Sequence, residues 1–200
     1  MLLDLLKKRY SCRAFSPKKI SAEIVNYMLE CARLSPSGGN EQPWKFGVIT
    51  DTQRIHQITE ACSENYPQPW IRTAPLLIAL CTQIFDTPIA DISLKRFPSM
   101  LERMKSIDKD VISAIAMEEH QVKIPGTHMV LAALEHGIQS TWISGMNCEK
   151  AGEILGVEGY LVSNIIAFGY PLENKTTTAK KHPEDIMFTK QPITICNRLL

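Results

Sequence analysis

Apolar positions recur at helical spacing in the first part of the chain and as unbroken runs later, a pattern that predicts helices packed on an inner sheet. MLLDLLKKRY reads as the first turns of a helix. Ser21 can cap a helix through about Leu34, with Ile24, Tyr27, Met28 and Cys31 forming its core face. Ser35-Pro-Ser-Gly-Gly-Asn40 stops that helix, and Trp44–Thr50 follows as a short, half-apolar strand. Asp51 or Thr52 can cap the next helix, which carries Ile55, Ile58 and Ala61/Cys62 on one face. Tyr66-Pro-Gln-Pro-Trp70 then reads as irregular chain, suited to a surface lid.

The run Ala74–Cys81 is apolar throughout, as expected of a central strand buried on both faces. The pattern is weak from Asp86 to Lys109, where Pro88 and Pro98 interrupt it. Val111–Val122 is helix-like, and Thr127–His136 resumes a helix that Gly137 stops, so Pro125-Gly126 is expected to break or restart it. Thr141–Met146 predicts a short strand or turn, and Glu149–Leu155 a helix ended by Gly156. Tyr160–Gly169 is a second inner strand, in which Asn164 is the conspicuous polar residue. A modest extended segment, Ile193–Leu200, closes the chain.

The fold class expected from this alternation is α/β or α+β with a few-stranded sheet and no internal repeat. At 200 residues, 44% hydrophobic and 22% charged, the chain suits one globular domain over 1–200. A net charge of +1 provides no global field for nucleic acid or an anionic membrane, so any anion site must be local. The longest apolar run is far short of the roughly 20 residues a membrane helix needs. The six cysteines form no C-x-x-C pair, and the first residues do not read as a secretory signal. Reduced thiols in a cytoplasmic protein are the expectation.

Phosphate-loop, dinucleotide, nucleophile-elbow and zinc-hydrolase spacings are absent. The five histidines have no metal-ligand spacing beyond His128 and His136, and no metal site is expected. Lys8-Arg9-Tyr10-Ser11-Cys12-Arg13 differs, because its two guanidinium groups and a hydroxyl within five residues can hold a phosphate by charge-assisted bonds. Spacing alone leaves a solvated basic face as the commoner alternative. Ser35–Trp44 offers small residues that admit a flat ligand, with Asn40 and Gln42 as amide partners, yet it also suits a plain helix stop.

Taken together, Arg9-Tyr10-Ser11-Cys12-Arg13-Ala14-Phe15 and Ala32–Trp44 resemble the two N-terminal motifs of the nitroreductase family of FMN-dependent oxidoreductases. Further matches follow in the family's order. They are Thr73–Ile78, Gly137–Gly145, Ala167-Phe-Gly-Tyr-Pro171 and the pair Lys180-Lys181.

The resemblance implies an α+β, nitroreductase-like fold, with a few-stranded mixed sheet flanked by helices and an intertwined homodimer holding FMN at the subunit interface. It implies that Arg9, Tyr10, Ser11 and Arg13 lie at the phosphate and ribityl chain, with Lys180 or Lys181 completing the phosphate site. Tyr10 stands where the family often has a basic residue. The resemblance further implies that Pro36, Ser37, Gly38, Asn40 and Gln42 form the loop packing on the flavin from the other subunit. Trp142, Ile143, Ser144 and Gly145 would form the turn whose backbone N–H groups meet flavin N5 and O4. Ser144→Ala is then expected to be nearly silent, whereas Gly145→Val should not be.

The implied activity is ping-pong hydride transfer from NADH or NADPH to a small electron-poor acceptor such as a nitroaromatic, a quinone or a flavin. No catalytic side chain is required, since the cofactor carries the chemistry. Alternatives are dehalogenation, enone reduction, or a non-catalytic FMN store or sensor.

Overall fold

The computed structural model describes residues 1–64, 66–83, 109–175, 177–182 and 186, with backbone alone for 109–120. Among the described residues, four strands form the centre: β1 (Trp44–Ile49), β2 (Leu76–Gln83), β3 (Gln139–Ile143) and β4 (Tyr160–Gly169). They pair in the order β1-β2-β4-β3. All three pairings are antiparallel, and the parallel element expected of a mixed sheet is confined to a bridge between Ser11 and Ser140.

The two long apolar runs become the two inner strands because helices cover both faces of the sheet. Leu76, Ile78 and Leu80 of β2 pack on one side with α2 (Ala22–Arg33) and α4 (Lys109–Glu135). Leu77, Ala79 and Cys81 point the other way, into a core shared with α3 (Thr52–Ser63) and α5 (Cys148–Leu155). Alternation along a strand therefore meets oil on both sides, and no polar stripe survives. A short α1 (Leu2–Lys8) precedes these elements and buries none of its residues.

Capping accounts for several helix boundaries. The Ser21 hydroxyl accepts from the Ile24 N–H at 3.5 Å, Asp51 from Arg54 at 2.9 Å, and Asn147 from Lys150 at 3.0 Å. Gly156 ends α5 in the left-handed conformation, φ 63°.

Three expectations need correction. The core face of α2 is Val25, Met28 and Ala32, about one residue around the helix from the expected stripe. Tyr27 is exposed, and its hydroxyl donates to Glu135 Oε2 at 2.6 Å; that bond, first among the causes, pushes the phenol pKa up to about 12. The polar end of a tyrosine keeps it at the border, where the shorter Val25 fits inside. Tyr66–Trp70 is not irregular to its end, because Pro69–Thr73 forms a turn with Ile71 fully buried, while Tyr66 stays exposed. Finally, α4 runs through Pro125 without a break. The expectations for 86–108 and 193–200, and Cys196, lie outside the described residues. The other five cysteines are free thiols, and burial pushes Cys62 up to about 12.

Gly126 accounts for part of that continuity. A Cβ there would lie 2.6 Å from Leu80 Cδ1 and 2.6 Å from Trp142 Cη2, so the helix backbone sits directly on the sheet. Leu80 is fully buried in the layer between α4 and the sheet. Gly126→Ala is expected to cost about 1–3 kcal/mol through overpacking, read as a melting point lower by roughly 2–10 °C. An unchanged melting temperature would show that the helix stands off the sheet.

Candidate functional site

After α1 the chain is extended and runs along the outer edge of β3. Arg9 opens this stretch with φ −73° and ψ 128°. The Tyr10 N–H donates to Gln139 Oε1 at 3.3 Å, and Gln139 Nε2 donates to the Lys8 carbonyl at 3.1 Å. The Cys12 N–H donates to the Ser140 carbonyl at 3.1 Å, and the Thr141 hydroxyl donates to the Cys12 carbonyl.

Extended chain alternates its sides. Tyr10 and Cys12 therefore turn into the core, 7% and 3% exposed, while Arg9, Ser11 and Arg13 turn outward. Tyr10, named with the cofactor residues, has its ring in the core and its hydroxyl donating to the Glu173 carbonyl at 2.7 Å. Burial pushes its phenol pKa upward. The Arg13 guanidinium lies over the Trp70 ring, 5.9 Å from the centroid. Neither Arg9 nor Arg13 pairs with a carboxylate among the described residues.

At the far end of β3 the chain turns through exposed Ser144 and Gly145. The Ser144 hydroxyl accepts from Asn164 Nδ2 at 2.9 Å. The Gly145 carbonyl accepts from Gln68 Nε2 at 3.1 Å, which also donates to the Cys62 carbonyl at 2.7 Å. A Cβ on Gly145 would meet nothing within 4 Å among the described residues, so that edge of the turn is open. Ile143 is buried in the α3/α5 core, while Trp142 packs toward α2 and α4. Their side chains are structural, and what they bring to this edge is backbone.

The loop after α2 is held elsewhere. The Ser35 hydroxyl lies 2.7 Å from His128 Nδ1, and the Gly38 N–H donates to Gln121 Oε1 at 2.9 Å. Both bonds moor Pro36–Gln42 to α4. Gly39, Asn40 and Gln42 all have positive φ, between 50° and 57°, and the Gln42 N–H donates to the Ser37 hydroxyl at 2.9 Å. Among the described residues, no hydrogen bond or ring contact joins this loop to Arg9–Arg13 or to Ser144–Gly145. One chain thus holds two patches by different elements, the loop by α4 and the arginine row by β3. Lys180 and Lys181 are exposed beyond β4. No metal-binding cluster and no helix long and apolar enough to cross a membrane occur among the described residues.

The profile described as Nitroreductase family matches residues 6–170, a span containing both patches and all four strands. The chain belongs to the nitroreductase family. Among related nitroreductases, a protein of Archaeoglobus fulgidus with the provisional name NADH dehydrogenase/NAD(P)H nitroreductase is 30% identical, covering 86% of this chain and 87% of its own. The oxygen-insensitive NADPH nitroreductase of Helicobacter acinonychis is 25% identical over 89% of this chain and 91% of its own. Among solved structures, a nitroreductase family protein from Streptococcus pneumoniae superposes with TM-score 0.70 at 25% identity, covering 96% of this chain and 100% of that one. An FMN-dependent nitroreductase from Clostridium difficile has TM-score 0.67 at 22% identity, covering 96% and 98%, and shares the α+β fold.

Two residues that hold the turn were not assigned to the site from sequence. Asn164 stood out as a polar residue in an apolar run, but nothing local tied it to Ser144. Gln68 sat in the expected lid, with no signal pointing to Gly145.

Proposed function

We propose that this chain is an FMN-dependent oxidoreductase that takes reducing equivalents from NADH or NADPH and passes them to a small electron-poor acceptor. Family membership and relatives named as NAD(P)H nitroreductases support the nicotinamide-dependent reductase. The observation that carries the FMN reading is the outward row Arg9, Ser11, Arg13 along β3, the strand that leads directly to the open edge at Gly145.

The residues present suit the cofactor. Two guanidinium groups without carboxylate partners among the described residues, and one hydroxyl, form a donor set for a phosphate dianion. Lys180 or Lys181 adds a further cation. Ser144 and Gly145 offer backbone N–H donors and no bulk beside a flat ring. When bound, FMN would supply two-electron hydride chemistry between the reduced nicotinamide and the acceptor. Arg9, Ser11 and Arg13 would hold its phosphate, and the Ser144–Gly145 turn would meet the ring edge.

A homodimer is part of the proposal. The Pro36–Gln42 loop is moored to α4 rather than to the arginine row, which supports the reading that it serves a partner's flavin. Leu2, Leu3 and Leu6 of α1, 56%, 37% and 45% exposed, and Ile124 at 38%, leave apolar surface for a second copy to cover.

The purified protein is expected to be yellow, to bleach under NADH or NADPH without oxygen, to recover colour with a nitroaromatic or quinone, and to scatter light as a dimer. Colourless protein that does not take up FMN would overturn the reading. Bleaching without recovery by any acceptor would point to a flavin store.

One observation favours a second chemistry. The iodotyrosine deiodinase of Thermotoga neapolitana is 40% identical over 65 residues, 32% of this chain and 35% of its own. Release of iodide from an iodotyrosine by the reduced protein would select reductive dehalogenation.

A further inference from the structure

We propose that Asn164 is a positioning residue for the Ser144–Gly145 turn, acting on the flavin site only through the Ser144 hydroxyl. The inference rests on the FMN reading above. β3 and β4 keep one antiparallel register from Gln139↔Gly169 to Ile143↔Ile165, and one further step of that register would set Ser144 opposite Asn164. The backbone ladder stops at Ile143, where the chain turns away. Asn164 Nδ2 donates to Ser144 Oγ at 2.9 Å, so a side-chain bond holds the register one residue beyond the ladder. That residue is the one preceding Gly145.

Stability alone does not account for an asparagine here. Asn164 is 1% exposed in a strand buried along almost its whole length, and its Oδ1 has no partner among the described residues. A half-satisfied buried amide is unfavourable beside an apolar residue of similar size. Leucine would fill the same space but could not hold Ser144.

The strand is also adjusted at this point. The β2–β4 register shifts between Leu80 and Cys81, so Leu80 faces Asn164 while Cys81 faces Val162, leaving Ser163 as the extra residue. Such bulges re-aim side chains beside functional sites. Here the Ser163 hydroxyl pairs with Thr82 Oγ1 at 2.8 Å, and the amide of Asn164 reaches Ser144. Ser144→Ala is therefore not silent, because the hydroxyl is the handle by which the sheet holds the turn.

The test compares wild type, Asn164→Leu, Ser144→Ala, the double variant and Thr82→Val. Each is measured for FMN dissociation constant, flavin reduction potential and flavin-free melting temperature. Asn164→Leu and Ser144→Ala should each weaken FMN binding about tenfold or more and shift the potential in the same direction. The double variant should bind no more weakly than the worse single variant, as coupled residues do. Flavin-free Asn164→Leu should melt no lower than wild type, since exposed Ser144 is then solvated. Thr82→Val disturbs the same buried layer and should leave FMN affinity unchanged.

Wild-type affinity and potential in Asn164→Leu would overturn the assignment, as would losses that multiply in the double variant. If Asn164→Leu does not fold, Ser144→Ala decides alone: unchanged affinity and potential overturn the proposal, and a loss of both supports it. Wild-type protein that binds no FMN would instead remove the functional reading and this inference with it.

Discussion

Gly145→Val should lose at least about a hundredfold in FMN affinity, more than 2.7 kcal/mol, while the flavin-free protein melts within roughly 2 °C of wild type. The two halves of this expectation have separate causes. Within the chain, a Cβ at Gly145 meets nothing within 4 Å, and Gly145 is not among the glycines with positive φ. An added Cβ there meets no described residue and needs no left-handed backbone, so among the described residues the protein alone gives no reason for loss. Only something bound at the open edge of the turn can be displaced by it.

This separates Gly145 from Gly126, where the added carbon would meet Leu80 and Trp142 at 2.6 Å. One glycine leaves room for a ligand, and the other for the protein's own sheet. Flavin occupancy, anaerobic reduction rate and melting temperature of the two variants, measured side by side, distinguish these roles. A fully flavinated, rapidly reduced Gly145→Val protein would remove the turn from the cofactor site.

Arg13→Ala is the second large effect expected, with FMN affinity falling ten- to a hundredfold and riboflavin affinity within about threefold of wild type. Removing one charge-assisted contact to a phosphate costs on the order of 1.5–3 kcal/mol, and riboflavin has no phosphate to lose. Trp70 beneath the guanidinium restrains Arg13 before any anion arrives, which lowers the entropy cost of binding. Arg9→Ala should follow the same pattern. Arg13→Lys should recover only part of the loss, because an ammonium cannot reproduce the planar fork. Parallel losses of FMN and riboflavin, measured by fluorescence titration, would show that the arginines support the fold or the ring instead of the phosphate.

Much of this architecture is legible in local pattern. Ser21, Asp51 and Gly156 mark helix ends through bonds and backbone conformations that span only a few residues. The runs at 74–81 and 160–169 declare inner strands because a segment covered on both faces needs no polar positions. Arg9, Ser11 and Arg13 share a side because extended chain repeats every two residues, and the motif itself contains that spacing. Local pattern failed where neighbours decide. Tyr27 reads as core until Glu135, 108 residues away, provides a partner for its hydroxyl at the surface. Pro125 reads as a helix break, yet α4 passes through it with Gly126 seated against the sheet.

The amino-acid sequence by itself determined the element types, their order and the family, because caps, periodicities and short motifs act over a few positions. Only the tertiary structure decided which distant residues hold the site. Asn164 reaches Ser144 across 20 positions, and Gln68 reaches Gly145 across 77. Both contacts depend on strand register and on the docking of a turn. These are set by the joint packing of two helical layers on one sheet, so no local stretch of the chain encodes them.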